Sequence, residues 1–523
     1  METQVLIIGG GVTGVGLARD LSLRGVDCTL VERRDINAGA SGANHGLLHS
    51  GARYVIRDPA AAVECRDEGR ILRRIAPHCI EETGGLFVAV AGDDERYAAD
   101  FPGACRRAGI PCRALDPAEA RALEPVLSEK LIAAYAVEDA AIDPFRLALD
   151  NLSEAMAHGS RVLLSTRVEG FDIEGQRIRA ARLFDAATGK RRRMAAEVVV
   201  NAAGAWAKEI AALAGLPLPM TWSKGSLLIT DRRLAGRVLN RLRPASDADI
   251  LVPGGTVSIL GTSSVRLDSL AEIVPTVAEI DRILEAARDM VPVLESTRFI
   301  RAYAGVRPLV GRAGEPGDRL LSRGFALIDH AEEGLDNFLT ITGGKLTTYR
   351  RMAEKAADLA CRKLGVRAAC RTAEIPLAPR PVNRWTEAGA GPRGWPEAFR
   401  SPQELLLCEC EMIPASAVME VCEAIRLQGA RPSLYGIGRR SRVGKGTCQG
   451  AFCGVRVNAH LYDRQVLSGR EGIRDLRAFL EGRWRGMRPI LWGTALAQEE
   501  LQEALHCGLF GLDREEASWP PHP

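Results

Sequence analysis

The chain opens with an apolar run, Val5 to Ile8, too short for a helix and suited to a strand buried on both faces. A glycine-rich break follows. From Val12 to Arg24 apolar residues recur at helical spacing until Gly25 stops them, and "CTLVE" reads as a second strand ending on Glu32. Related patterns return far downstream. "AAEVVVNAAGAWA" (195–207) is a buried strand running into small residues at Asn201 to Gly204. "FLTITGGKLTTYRRMAEKAA" (338–357) is a strand, two glycines and a helix with Thr347 and Thr348 in its opening turn. Between about 367 and 402, Pro, Gly and Arg interrupt every period, which predicts a linker or an arm wrapping the first domain. Beyond it "ASAVMEVCEAI" reads as helix. The tail carries an amphipathic face at Leu476, Phe479, Leu480 and Trp484, whose default reading is docking onto the protein's own domains. The class is α/β.

The break after the first strand is Gly9-x-Gly11-x-x-Gly14. In a nucleotide site the first glycine permits the tight turn, the second lets backbone approach a pyrophosphate, and the third lets helix and strand pack closely. The helix N-terminus presents unpaired N–H groups to phosphate oxygens. Glu32, at the end of the second strand, can accept hydrogen bonds from a ribose diol, which favours an adenosine without a 2′-phosphate. The motif alone does not separate FAD from NAD. The chain has no second strand–GxGxxG–helix unit, so a separate NAD domain is not expected. The glycine-opened helix at 343–348 can place its positive end against an electron-rich ring edge. Pieces of one site hundreds of residues apart suit a large, permanently held cofactor.

At 523 residues the chain is too long for one hydrophobic core. With 69 Lys and Arg against 66 Asp and Glu, no basic excess points to nucleic acid. No apolar run is long enough to cross a bilayer, and the N-terminus lacks the basic start of a signal peptide, so a cytoplasmic protein is expected. Most of the 13 cysteines, such as Cys28, Cys65 and Cys79, read as buried small hydrophobes in a reducing compartment. Four are spaced differently: Cys408, Cys410, Cys448 and Cys453, in the pattern C-x-C…C-x4-C, suggest one metal site. Zinc ribbons prefer C-x2-C pairs, which argues against the commonest zinc form.

One stretch stands out for its polarity. "HSGARY" (49–54) places an imidazole, a guanidinium and a phenol around glycine, directly after "ASGANHGLL". By itself this is an ordinary solvated loop. Together with "IIGGGVTGVGLARDLSLRG", "VVVNAAG", "YAGVRPLV" and "ITGGKLTTYR", however, it resembles the FAD-dependent glycerol-3-phosphate dehydrogenases of the amino-acid-oxidase-like flavoproteins, over roughly residues 1–375. The four-cysteine pattern resembles bacterioferritin-associated ferredoxins, which implies a [2Fe–2S] cluster; zinc and a metal-free relic stay open.

The resemblance implies oxidation of sn-glycerol 3-phosphate to dihydroxyacetone phosphate. Electrons would leave through the cluster and partner subunits toward a membrane quinone, placing the protein peripherally on the cytoplasmic face of the inner membrane. It implies FAD held by Gly9, Gly11, Gly14, Glu32, Ala203, Gly204, Gly343, Gly344, Leu346 and Thr347, and a cluster on Cys408, Cys410, Cys448 and Cys453. Arg53, Tyr54 and Arg323 would hold phosphate, and His49, Arg307 and Lys345 would surround the carbinol. His49 is the first candidate base; Arg307 stabilising an alkoxide while water takes the proton is the alternative. Physical chemistry supports a cationic site. Three carbons supply about 2 kcal/mol of apolar burial, whereas a micromolar-to-millimolar Kd needs roughly 4–8 kcal/mol. Charge-assisted hydrogen bonds at roughly 1.5–3 kcal/mol each must supply the difference. A dehydrogenase for hydroxy acids or amino acids, needing one carboxylate clamp, is the enzymatic rival; a non-catalytic flavin and iron–sulfur scaffold is the other.

The expected architecture is a Rossmann-type FAD-binding domain (1–75, 151–214 and 321–370) and an α+β substrate domain (76–150 and 215–320). A linker (371–402), a small helical four-cysteine domain (403–460) and a helical extension (461–523) follow.

Overall fold

In the computed structural model, which describes residues 1–310, 324–390 and 404–513, the opening pattern becomes β1 (Glu2–Ile8), α1 (Val12–Leu23) and β2 (Cys28–Val31). β1 lies inside an eight-stranded sheet. Arg161–Leu163, β2, β1, Lys190–Asn201 and Phe338–Gly343 run parallel in that order, and Phe325–Asp329 closes one edge antiparallel. The register sets Val5 beside Cys28 and Ile8 beside Asn201. Helices on one face and a hairpin with a short helix on the other cover these strands, which is why Val5 to Ile8 and Val198 to Val200 are all buried. The carboxyl ends of β1, Lys190–Asn201 and Phe338–Gly343 thereby converge, where open α/β sheets take ligands.

The helix Pro144–Ala157 corrects the expected boundary at 150. Its residues Ala148, Leu152 and Ala155 pack in one core with Val15, Leu17 and Leu21 of α1, so 144–150 belong with the first sheet. An Asp143 cap, accepting from the backbone N–H groups of Phe145 and Arg146, starts the helix there.

A second, nine-stranded sheet takes its strands from 85–137 and 220–310. Its spine is an antiparallel pair, Met220–Thr230 with Phe299–Val310, in register from Met220 opposite Val310 to Thr230 opposite Phe299. The strand Phe299–Val310 also reaches the first domain: the Tyr303 hydroxyl donates to the Asn44 carbonyl at 2.7 Å, and Gly305 lies against the Ala43 carbonyl.

Described residues of the 371–402 segment form an arm. Leu377 N donates to Ile75 O at 2.7 Å, Asn383 Nδ2 donates to Asp150 Oδ1 at 2.7 Å, and Trp385 enters the core of the C-terminal unit. That unit consists of the helices Ala415–Leu427, Leu434–Arg440, Cys453–Asp463 and Glu471–Met487 around Val418, Val421, Ile437, Val457 and Leu476. The boundary expected at 460 therefore moves: Leu476 is buried in this core, and the Phe479 ring fills the space left by Gly444, Gly450 and Gly454. Arg440, fully buried, donates through both terminal nitrogens to the two oxygens of Asp35 at 2.7 Å and locks the unit to the loop after β2. The last helix, Gly493–Phe510, buries no residue fully. Among the described residues no helix is long and apolar enough to cross a membrane.

Candidate active site

A cavity of about 1050 Å³ runs along the carboxyl ends of the first sheet and under the second. Gly9 turns the chain at φ +117°, and a Cβ there would lie 2.5 Å from the Ala202 carbonyl oxygen, so only glycine fits between the two strands. Gly14 does not face the cavity; a Cβ on it would collide with the Gly9 carbonyl, which is the helix–strand packing task expected of it. Gly11 stands at the N-terminus of α1, where Ser41 Oγ accepts from Val12 N at 2.9 Å. The Glu32 carboxylate lines the cavity, held by Gly10 N and Arg34 N, each at 2.8 Å. Ala203, Gly204, Gly343, Gly344 and Leu346 line the same space.

The "HSGARY" segment is a tight loop with each backbone turn fixed. Ser50 donates to the Asp139 carboxylate from both its N–H and its hydroxyl, each at 2.7 Å. Burial pushes the Asp139 carboxyl up, against the pull of these donors and Asn240. Gly51 takes φ +99°, and a Cβ there would strike the Ala62 carbonyl. With the backbone pinned, the side chains of His49, Arg53 and Tyr54 face the cavity. The His49 ring meets the Tyr54 ring edge-on at 5.4 Å, and Lys345 Nζ lies 4.7 Å from the Tyr54 ring centroid. Thr347 is buried and is not among the residues lining the cavity; its hydroxyl accepts from His49 N at 3.3 Å and so supports the histidine's backbone.

Arg307 enters from the second sheet. Its guanidinium donates to Ser223 Oγ, to the Ser263 carbonyl and to Thr262 Oγ1. Beneath it lies a buried pair: Lys224 Nζ is 2.8 Å from Glu279, and Glu279 also accepts from the hydroxyls of Ser226 and Ser263. These donors keep the Glu279 carboxyl low despite burial. Arg53 is also committed, with Nη2 on Asp249 Oδ2 at 2.5 Å and Nη1 on the Arg241 carbonyl at 3.2 Å. Asp249 further accepts from Arg243 Nε and from Ser246 N, so this carboxylate orients the cationic wall.

The structure thus brings His49, Arg53, Tyr54, Arg307 and Lys345 onto one cavity with Gly9, Gly11 and Glu32. Arg323 lies outside the described residues. Sequence reading missed Arg57, which lines the cavity four residues after Arg53 and has no carboxylate partner among the described residues. It also missed Arg33 and Trp206, stacked at 4.3 Å on the cavity wall, and Asp249. The spacing of Arg57 from Arg53 was a usable signal; nothing local marks Asp249.

The four C-terminal cysteines converge. Interactions between the thiols link Cys453 to Cys408 and to Cys448, and Cys448 to Cys410. Cys408 and Cys453 are buried and Cys410 is exposed. The Cys453 contact pulls the Cys448 thiol down, as do the backbone N–H groups of Phe452 and Gly450. Gly446 packs against Cys410, where a Cβ would collide with the cysteine's own. Four thiols with backbone donors aimed at sulfur fit the ligand chemistry of a [2Fe–2S] cluster. Cys422 is core, fully buried, its thiol pushed up by burial to about 11.

A family profile for FAD dependent oxidoreductase matches residues 4–370. One subunit of the anaerobic glycerol-3-phosphate dehydrogenase of Escherichia coli (strain K12) is 44% identical over 535 residues, covering 98% of this chain and 98% of that protein. A subunit of the anaerobic glycerol-3-phosphate dehydrogenase of Haloferax volcanii is 37% identical, covering 98% and 92%. Among solved structures, glycerol-3-phosphate dehydrogenase from Bacillus halodurans complexed with FAD superposes with a TM-score of 0.63 at 21% identity, over 94% of this chain and 96% of that one. A Rossmann-type nucleotide sheet opening onto a cationic cavity, with a match of this length, decides the question: the chain belongs to the FAD-dependent oxidoreductase family and, within it, to the group formed by these subunits of the anaerobic glycerol-3-phosphate dehydrogenases.

Proposed function

We propose that this chain oxidises sn-glycerol 3-phosphate to dihydroxyacetone phosphate and hands the electrons on through its C-terminal cysteine centre to partner subunits and a membrane quinone. The observation that carries the reading is the convergence of Arg53, Arg57, Arg307 and Lys345 on the cavity that also holds the glycine turn and Glu32. FAD, when bound, supplies the hydride acceptor. Gly9, Gly11 and the N–H groups opening α1 would take its pyrophosphate, Glu32 its ribose, and Ala203, Gly204, Gly343, Gly344 and Leu346 would line the rest of its cleft.

The protein's own groups divide the remaining work. Arg53, pre-oriented by Asp249, and Arg57 face the phosphate with Tyr54, and Arg323 is proposed to join them. Arg307, fixed by Thr262 and Ser263, stands with Lys345 where negative charge develops on the carbinol oxygen. His49 takes the hydroxyl proton; its backbone is clamped by Thr347 and its ring braced by Tyr54, so little reorganisation is needed. A [2Fe–2S] cluster on Cys408, Cys410, Cys448 and Cys453, when bound, supplies one-electron transfer to a partner, and exposed Cys410 sets one edge of it at the surface.

Absorbance titration of the purified holoprotein under nitrogen tests this. Glycerol 3-phosphate should bleach the flavin bands, and 2-hydroxyglutarate and amino acids should not. Bleaching by either of those and none by glycerol 3-phosphate would remove the assignment. Zinc without iron in an anaerobic preparation would remove the cluster.

A further inference from the structure

We infer that Cys105 and Cys112 form a thiol–disulfide modification site, closed by hydroperoxides and reopened by dithiols. The helix Glu95–Arg107 ends in a tight reversal: Ile110 N donates to Cys105 O at 2.9 Å, Gly109 N to Arg106 O at 3.0 Å, and Gly109 takes φ +65°. The strand Cys112–Leu115 therefore starts beside the end of the helix it follows. Cys105 is fully buried in a cluster with Ala52, Phe87 and Phe101, and Cys112 packs on that cluster from its partly exposed edge.

Interaction with Cys105 lowers the Cys112 thiol, and that interaction together with burial raises the thiol of Cys105. The accessible sulfur is thus the one biased toward thiolate. At Cys28, Cys65, Cys79, Cys361, Cys370, Cys422 and Cys507 burial pushes the thiol up.

The chemistry balances without any group beyond the oxidant. The Cys112 thiolate attacks one peroxide oxygen, the O–O bond breaks, and hydroxide leaves to become water. Cys105 then attacks the resulting sulfenic sulfur, an S–S bond forms, and a second water departs. Two thiols are oxidised and one peroxide is reduced. The staple would close the 106–111 loop, whose Ile110 side chain lies 2.9 Å from where a Gly51 Cβ would sit, directly behind the "HSGARY" turn.

The test treats the holoprotein with one equivalent of hydrogen peroxide, blocks remaining thiols by alkylation and maps peptides by mass. Expected are a Cys105–Cys112 cross-linked peptide, the loss of both thiols, and full recovery by dithiothreitol, while Cys28 and Cys79 stay alkylatable. Cys105→Ser should leave Cys112 as a sulfenic acid that dimedone traps, and Cys112→Ser should leave Cys105 reduced. Recovery of both cysteines as thiols while other cysteines oxidise would overturn the assignment, as would dimedone labelling of Cys105 in place of Cys112.

Discussion

The nucleotide cleft and the four-cysteine centre solve opposite problems. The cleft is made by removing side chains: Gly9, Gly11 and Gly14 let backbone approach backbone and leave N–H groups for an anion. The cysteine centre is made by gathering side chains, with backbone N–H groups turned toward sulfur. The first draws on segments hundreds of residues apart and is fixed by a parallel sheet; the second is fixed by a short loop and the Phe479 ring packed on its glycines. The comparison teaches that the two can fail separately. Arg440 and Asp35 fasten them together without sharing a ligand-bearing residue.

Gly14→Val should break the cleft alone and have the largest effect. Forcing a branched side chain against the Gly9 carbonyl costs on the order of 1–3 kcal/mol of overpacking, or about 5–150-fold in flavin affinity. The flavin-to-protein ratio should collapse while iron content holds; a fully flavinated variant would contradict the packing argument. The converse is Cys448→Ser. Iron should be lost, and flavin bleaching by glycerol 3-phosphate should survive, read by anaerobic absorbance. Loss of both groups would show that the two regions are not separable.

Removing a cation from the cavity sharpens the comparison within the first region. Arg307→Ala should lower kcat/KM by roughly 10–100-fold, the worth of one charge-assisted hydrogen bond at about 1.5–3 kcal/mol. The smallest effect belongs to the second region. Asp475, on the helix Glu471–Met487, accepts from Leu434 N at 2.7 Å, and burial raises its carboxyl to about 6. Its folded value exceeds the unfolded one, so the folded state holds the proton more tightly and stability falls as pH rises through the window from about 4 to about 6. The loss is on the order of 3 kcal/mol. Asp475→Asn should flatten that slope in thermal melts across this range.

How much of this was legible follows from range. The glycines and Glu32 announce themselves because a strand, a turn and a helix are local patterns, and the C-x-C and C-x4-C pairs are local too. The pairing of Arg53 with Asp249, almost two hundred residues on, has no local signature. The same holds for the turning of Thr347 toward His49, for the assignment of Pro144–Ala157 to the first sheet, and for Phe479 completing the cysteine unit: each is decided by a contact between distant segments. Arg57 was within reach, standing three residues past the motif that drew attention to Arg53.

The central claim is that the cavity's cations recognise the phosphate of a small ester. Comparing flavin reduction by glycerol 3-phosphate with that by glycerol, in the wild type and in the Arg53→Ala and Arg57→Ala variants, tests it most directly. The account predicts a gap of at least roughly a hundredfold between the two substrates in the wild type, from two or more charge-assisted bonds. It also predicts that each variant narrows the gap by slowing the phosphate ester and leaving glycerol unchanged. A gap that stays the same width in both variants would contradict it.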